Sequence, residues 1–282
     1  MDGVDLATEA FGDPADEPVL LIMGVMSSML WWPDEFCERL ARRSRFVIRY
    51  DNRDTGLSTT YPVGSPGYTG EEMADDAIRV LDGYGLARAH VVGISMGGAL
   101  AQLATLRHPD RVASLTMIST TPLGEDTSTR PGSNPDFLER SAGLGEPDWS
   151  DRTRVIDYLV ENSRLTAGSA HPFDEPGLRR LIGRDHDRAN SFPSVTNHTR
   201  LSGGDVAGGS LRTVWVPVLV IHGTEDPLFP IEHGIALSRA VNASTLIRLK
   251  GVGHELPEGA WDQIITAIVT HTGDQSPDLG ST

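Results

Sequence analysis

A serine stands between two glycines in the segment Gly93-Ile94-Ser95-Met96-Gly97. The apolar run at 89–92 predicts a strand before it, and the run at 98–104 predicts a helix after it. A sharp strand-to-helix turn leaves no room for side chains beside the serine, which explains glycine two positions before it and two after it. Such a nucleophile elbow places the Ser95 hydroxyl at a helix N-terminus, where backbone N–H groups favour negative charge. Ser95 is therefore the first candidate for a reactive residue.

Short apolar runs alternate with helical patterns along the chain. The predicted strands are 19–23, 46–50, 89–92, 115–119, 218–222 and 245–249. This alternation predicts a mostly parallel sheet. The runs at 19–23 and 218–221 are apolar at successive positions, as expected of strands covered by helices on both faces. A helix is predicted from Thr69 to Tyr84, opened by a capping box of Thr69 and Glu72.

The alternation stops between residues 120 and 213, where glycine and proline surround short helical stretches. Apolar residues recur there at helical spacing, at 155–160 and 178–182. We expect a helical lid laid across the carboxyl edge of the sheet. The predicted domains are a core of residues 1–119 and 214–272, a lid of residues 120–213, and a polar, disordered tail of residues 273–282.

The composition narrows the choice of partners and chemistry. A formal charge of −15 opposes binding to nucleic-acid phosphates and to anionic membranes, so neither is an expected partner. Cys37 is the single cysteine, which excludes an intramolecular disulfide, and its helical surroundings favour a packing role. The acidic N-terminus differs from a signal peptide, and no apolar run reaches the roughly 20 residues that cross a bilayer. We predict a cytoplasmic protein, and the oligomeric state is left open.

A serine hydroxyl needs a base that accepts its proton, and the base needs an acid that holds its tautomer. Asp226 follows the predicted strand 218–222, and His254 follows the strand 245–249. Because the carboxyl ends of parallel strands meet at one edge of a sheet, we expect both side chains to converge on Ser95. Their order, Ser then Asp then His, is that of the α/β-hydrolase form of the catalytic triad.

Each partner of Ser95 has an alternative interpretation. Asp226 precedes Pro227 and could simply stabilise a turn, while Glu225 beside it is a rival acid. His254 could be a histidine that only satisfies its own hydrogen bonds. These alternatives stay open at the level of the sequence.

Acyl transfer also needs two backbone donors directed at the oxyanion. We expect one to be the N–H of Met96, directly after Ser95, and the other to be the N–H of Val25, in the loop after the first long strand. Apolar residues near this loop predict a hydrophobic substrate pocket. The residues assigned to the pocket are Gly24, Met26, Met29 and Trp31.

No metal site is predicted, because no group of His, Asp and Glu residues has the spacing of metal ligands. His186 and His198 are merely neighbours in a polar part of the predicted lid. His108 is expected to end the helix that follows Ser95, and His222 is expected to pack at the end of its strand.

Four further stretches carry a family resemblance, namely Phe-Gly-Asp-Pro-Ala-Asp at 11–16, Trp-Pro-Asp-Glu-Phe at 32–36, and the segments 49–58 and 89–96. They are similar to the anthracycline methylesterases of the α/β-hydrolase superfamily, which are cofactor-free carboxylic-ester hydrolases. The resemblance implies an α/β-hydrolase fold with a mostly parallel central sheet, helices on both faces and an inserted helical lid. The Met-Gly-Gly of that family reads Met23-Gly24-Val25 here, which adds a side chain near the acyl site.

The sequence therefore predicts a cofactor-independent serine hydrolase that cleaves a carboxylic ester or lactone with an apolar portion through an acyl-enzyme. The same triad could instead cleave a carbon–carbon bond or perform perhydrolysis, and a small-molecule binding protein could keep it without turnover. Epoxide hydrolysis and dehalogenation are disfavoured, because the elbow nucleophile of those relatives is an aspartate and here it is Ser95.

Overall fold

One seven-stranded sheet runs through the computed structural model, which describes residues 3–124, 130–202 and 210–273. The strands are β1 Thr8–Phe11, β2 Glu17–Ile22, β3 Arg45–Tyr50, β4 Ala89–Ile94, β5 Val112–Ile118, β6 Val218–Gly223 and β7 Ser244–Leu249. Their order is β1-β3-β2-β4-β5-β6-β7, and only β1 pairs with its neighbour in the antiparallel sense. The predicted parallel sheet is confirmed, with all six predicted strands present. The short β1 was not predicted.

The described residues also form eight α-helices. They are α1 Asp34–Ala41, α2 Gly70–Gly83, α3 Met96–Arg107, α4 Pro135–Leu144, α5 Arg152–Thr166, α6 Glu175–Arg188, α7 Ile231–Ala240 and α8 Trp261–His271. The predicted capping box opens α2, where Thr69 Oγ1 accepts from the Glu72 N–H and the Glu72 carboxylate accepts from the Thr69 N–H. His108 ends α3 as predicted. Within the described ranges, every helix is too short or too polar to cross a lipid bilayer.

Helices cover both faces of the sheet, and the side chains of β2 point alternately to one face and to the other. Leu20 and Ile22 belong to the core that α2, α3 and α7 complete, whereas Val19 and Leu21 belong to the core that α1 and α8 complete. All four side chains are fully buried, which explains why β2 is apolar at successive positions. Cys37 packs in the second core, and burial raises the pKa of its thiol to about 12.

The chain between β5 and β6, called the inserted segment below, contributes α4, α5 and α6 and a 3₁₀ helix at Phe192–Arg200. The helices expected at 155–160 and 178–182 are present in α5 and α6. Their apolar residues form small cores of their own, such as Val160 with Ile182. The domain bounds stay predictions, and residues 274–282 of the predicted tail lie outside the described residues.

The order of the strands fixes where a ligand can bind. β2 and β4 are neighbours in the sheet, although β3 lies between them in the chain. The chain thus extends the sheet to one side after β2 and to the other side after β4. Loops that diverge at such a point leave a crevice at the carboxyl ends of the strands. Gly24 follows β2 and Ser95 follows β4, so the topology places both at this crevice.

Two glycines allow α3 to begin directly against the strand ends. A Cβ atom on Gly93 would lie 2.1 Å from the Gly97 carbonyl oxygen, and a Cβ atom on Gly97 would lie 2.2 Å from the Ile22 carbonyl oxygen. Both contacts are with backbone atoms, so a side chain at either position must displace a strand or the helix.

We expect Gly97→Ala to lower the free energy of unfolding by about 1–3 kcal/mol, because the new methyl group overlaps a strand carbonyl. Gly83→Ala in the last turn of α2 is the matched control, since a Cβ atom there meets nothing within 4 Å. Alanine at this control position should leave stability unchanged or raise it by up to about 1 kcal/mol. Chemical denaturation measures the free energy of unfolding of both variants. A Gly97→Ala protein as stable as the parent would contradict the close approach of α3 to the Ile22 carbonyl.

Candidate active site

Ser95 occupies the turn between β4 and α3 with φ 54° and ψ −121°, a backbone conformation that residues with a side chain rarely adopt. The turn is fixed by hydrogen bonds from the Ser95 N–H to the Ile118 carbonyl (2.9 Å) and from the Gly98 N–H to the Ser95 carbonyl (2.9 Å). The Ser95 side chain does not cap α3, which leaves its hydroxyl free for another partner. Strained residues of this kind occur preferentially at functional sites.

That partner is a histidine. His254 Nε2 lies 2.9 Å from Ser95 Oγ, and His254 Nδ1 lies 2.8 Å from Asp226 Oδ2. An ionised carboxylate only accepts hydrogen bonds, so Nδ1 carries the ring proton and Nε2 faces the serine as an acceptor. The structure thus joins the three candidate residues in one chain of hydrogen bonds, at the ends of β4, β6 and β7.

Asp226 divides its two carboxylate oxygens between a turn and the histidine. Oδ1 accepts from the backbone N–H groups of Leu228 (2.9 Å) and Phe229 (2.8 Å), while Oδ2 accepts from His254. The side chain is fully buried, so its orientation is held by these bonds. Asp226 therefore both stabilises the turn at Pro227 and accepts a hydrogen bond from His254.

The rival acid, Glu225, points elsewhere. Its carboxylate accepts from the Ser169 N–H (2.8 Å) and hydroxyl (2.9 Å), in the connection between α5 and α6. The loop of His254 meets the C-terminal end of α5, just before this connection, because the His254 N–H donates to the Thr166 carbonyl (2.8 Å). The inserted segment thus contacts the loops that carry Asp226 and His254.

His222 is buried, as predicted, and supports the Asp226 turn. Its Nε2 donates to the Phe229 carbonyl at 2.7 Å. Burial lowers the pKa of His222, which favours the neutral ring. A neutral ring beside Asp226 leaves the carboxylate to pair with His254.

Of the two predicted oxyanion donors, Met96 directly follows Ser95 in the chain, and Val25 directly follows Gly24. Met96 is the first residue of α3, whose N-terminus has no side-chain cap, and the helix dipole favours negative charge there. Gly24 lies directly against the serine, since a Cβ atom on Gly24 would be 3.4 Å from Ser95 Cβ. Val25 follows Gly24, and both line the cavity beside Ser95.

A cavity of about 1210 Å³ opens at Ser95 and His254. Gly24 and Trp31 line it, but Met26 and Met29 are not among its lining residues. Met29 is 1% exposed, and Met26 packs against a small apolar cluster of the inserted segment. The pocket prediction is corrected for these two residues: the loop turns into a short 3₁₀ helix at Met29–Trp31, which sends neighbouring side chains in different directions. Apolar lining residues that were not predicted include Leu30, Phe173, Leu178, Leu181 and Leu256.

Two buried polar residues next to the site were not found from the sequence. His198 is 5% exposed, and its Nδ1 accepts from the Met26 N–H at 3.0 Å. Asp185 on α6 is 3% exposed and accepts from Trp31 Nε1 at 2.8 Å. The sequence places His198 in a polar part of the predicted lid but does not reveal that its side chain is buried. Both partners are more than 150 positions away along the chain, so no local pattern links them.

His186 and His198 of the inserted segment make separate contacts. His186 stacks on Phe192 with ring centroids 4.8 Å apart, whereas His198 bonds to Met26. Over residues 3–124, 130–202 and 210–273, no group of three or more His, Cys, Asp or Glu side chains is placed to hold a metal ion.

A family model described as alpha/beta hydrolase fold matches residues 17–259. The chain belongs to the α/β-hydrolase family. It is 35% identical over 288 aligned positions to rhodomycin D methylesterases of Streptomyces sp. and of Streptomyces peucetius, and each alignment covers 96% of this chain and 96% of the relative. The resemblance to anthracycline methylesterases and the fold class are confirmed.

Solved structures agree on the fold of this α/β hydrolase. The enol-lactonase of Burkholderia xenovorans superposes with a TM-score of 0.73 at 21% identity, over 96% of this chain and 97% of that chain. At such low identity the likeness concerns the fold alone.

We expect Asp226→Asn to slow the covalent labelling of Ser95 by a fluorophosphonate by on the order of 10⁴-fold. An amide at this position changes the tautomer of the histidine, so the histidine no longer accepts the serine proton. Glu225→Gln is the matched control, because Glu225 bonds to Ser169 and its amide can keep that contact. Labelling rates of the folded variants, followed by intact mass, check this. Equal rates for parent and Asp226→Asn, or an equal loss in Glu225→Gln, would contradict the assignment of Asp226.

Proposed function

We propose that this protein is a cofactor-independent serine hydrolase that cleaves a carboxylic ester through an acyl-enzyme intermediate. The observation that carries the proposal is the hydrogen-bonded chain from Ser95 Oγ through His254 to Asp226, with Ser95 and His254 lining a large cavity. The two rhodomycin D methylesterases support ester hydrolysis as the reaction.

In the proposed first half of the reaction, His254 Nε2 accepts the proton of Ser95 while Ser95 Oγ attacks the ester carbonyl carbon. The carbonyl oxygen becomes an oxyanion, and Asp226 stabilises the imidazolium that forms. His254 then donates its proton to the leaving alcohol oxygen as the carbon–oxygen bond breaks. The products of this half are the free alcohol and the acyl group bound to Ser95 Oγ.

In the second half, a water molecule takes the place of the alcohol. His254 accepts one of its protons, the hydroxide oxygen attacks the acyl carbon, and His254 returns the proton to Ser95 Oγ as the carboxylic acid leaves. In both halves the N–H groups of Val25 and Met96 donate to the oxyanion. One such donor is worth about 2.7–4 kcal/mol of the activation barrier.

The size and the lining of the cavity favour a bulky substrate with an apolar portion. Its volume of about 1210 Å³ exceeds the roughly 300–1,000 Å³ of common ligand pockets. Trp31 and Phe173 contribute aromatic surface to the lining, and the inserted segment supplies much of the wall, as a lid over residues 120–213 would. The two relatives are named as methylesterases of rhodomycin D. We therefore propose that the substrate is a large methyl ester such as rhodomycin D.

Intact mass after exposure to a fluorophosphonate tests the nucleophile. The parent protein should gain a single adduct, and Ser95→Ala should gain none, because the removed hydroxyl is the group that reacts. Ser95→Ala should also lose ester turnover while keeping the thermal midpoint of the parent. An adduct on a folded Ser95→Ala protein, or its full turnover, would refute the role of Ser95.

Product analysis tests the bond that is cleaved. With rhodomycin D as substrate, we expect one methanol and one free carboxylic acid per turnover, measured by gas chromatography and mass spectrometry. An enol lactone and a vinylogous diketone, offered separately, should be turned over more slowly. Preferred lactone opening or carbon–carbon cleavage would contradict the ester assignment, and saturable binding with no product would favour a binding protein.

A further inference from the structure

The loop at residues 24–31, called the oxyanion loop below, is held in place by side chains from other parts of the chain. The Met26 N–H donates to His198 Nδ1 (3.0 Å), and the Met29 N–H donates to Asp51 Oδ1 (2.9 Å). At the end of the loop, Trp31 Nε1 donates to Asp185 Oδ2 (2.8 Å). The loop therefore depends on contacts that are distant in sequence.

The loop also contains a strained residue directly after Val25. Met26 has φ 59°, in the left-handed region that residues with a side chain seldom occupy. Such a conformation is unfavourable and persists only where neighbouring contacts hold it. The bond from the Met26 N–H to His198 is such a contact, and it lies one residue from the proposed oxyanion donor.

His198 is held as an acceptor toward this loop. Its Nε2 donates to the Arg53 carbonyl at 2.7 Å, and a carbonyl only accepts, so the ring proton is on Nε2. Nδ1 is therefore unprotonated and free to accept from Met26. Burial lowers the pKa of His198, which keeps the ring neutral. One imidazole thus joins the oxyanion loop to the loop after β3.

Asp185 holds the other end of the loop from α6. Besides Trp31 Nε1, its Oδ2 faces the Ser28 N–H at 3.5 Å. Three residues later on α6, Arg188 Nη1 lies 2.6 Å from Asp51 Oδ2, and Asp51 in turn accepts from Met29. The inserted segment therefore reaches the loop both directly and through a buried carboxylate.

We propose that His198 and Asp185 are positioning residues that hold residues 24–31 so that the Val25 N–H faces the substrate oxyanion. The inference rests on the proposed function. Both residues come from the inserted segment, so this segment completes the catalytic machinery as well as enclosing the cavity. Neither side chain lines the cavity, and their effect on the reaction passes through the loop backbone.

Two near-isosteric replacements separate the two bonds of His198. In His198→Gln the amide nitrogen can donate to the Arg53 carbonyl in place of Nε2, but the acceptor for Met26 is lost. In His198→Asn the amide oxygen takes the place of Nδ1 and can accept from Met26, but the donor to Arg53 is lost. Comparing them shows which bond matters for the reaction.

We expect His198→Gln to lower kcat by roughly 10–100-fold with KM within about threefold, because a displaced donor forfeits part of the 10²–10³-fold effect of an oxyanion-hole donor. His198→Asn should recover most of the lost kcat. The matched control is His186→Gln in the same segment, because the His186 ring contacts Phe192 and Asp187 and neither belongs to the oxyanion loop, so kcat should be unchanged. Steady-state kinetics on a methyl ester and thermal midpoints of all proteins provide the measurements.

Asp185 gives a second, independent comparison. Asp185→Ala removes the acceptor for Trp31 and should lower kcat by about 10-fold or more, whereas Asp185→Asn keeps an amide oxygen there and should recover most of it. The expected signature again is a loss in kcat with little change in KM.

The inference is overturned if folded His198→Gln keeps the parent kcat, or if His198→Asn loses as much kcat as His198→Gln. Should His198→Gln fail to fold, His198→Asn decides alone, since a large loss of kcat in a folded His198→Asn protein contradicts the role of the Met26 acceptor. Failure of the proposed function is distinct, because the parent protein would then show no turnover that Ser95→Ala removes.

Discussion

The contact of α3 with the carboxyl ends of β2 and β4 determines the geometry of the whole site. Without Cβ atoms at Gly93 and Gly97, the helix begins within reach of the Ile22 carbonyl, and Ser95 is forced into its strained turn. The same contact brings Gly24 against Ser95, so the loop after β2 and the first N–H of α3 meet at one point. A side chain at either glycine would separate the serine from the group that is proposed to stabilise its reaction.

The positions of the serine, the carboxylate and the histidine could be predicted from the sequence, because each depends on a local pattern. Ser95, Asp226 and His254 each follow an apolar run by a few residues, and strand ends in a parallel sheet lie at one edge. The bounds of the strands and the capping box of α2 are likewise set by residues close together in the chain. The short β1 escaped prediction because its four residues, three half-exposed and one exposed, carry no apolar periodicity.

The remaining contacts join residues that are far apart in the chain. Helical spacing at 155–160 and 178–182 predicts helices, but it does not say which face of α6 meets the loop after β2. Asp185 and His198 are polar residues in polar stretches, and only the folded chain shows that they are buried against Trp31 and Met26. For the same reason the sequence predicts a pocket role for Met26 and Met29, whose side chains do not line the cavity.

The core and the inserted segment thus divide the proposed chemistry between them. The core carries the serine, the histidine, the carboxylate and the donor at the start of α3, while the inserted segment holds the loop of the second donor and bonds to the loop of His254. The residues of this segment that shape the cavity and those that hold the loops lie on the same helices and connections. Because both sets of residues share these elements, we expect a change in this segment that fits a new substrate to disturb the proposed oxyanion donor as well.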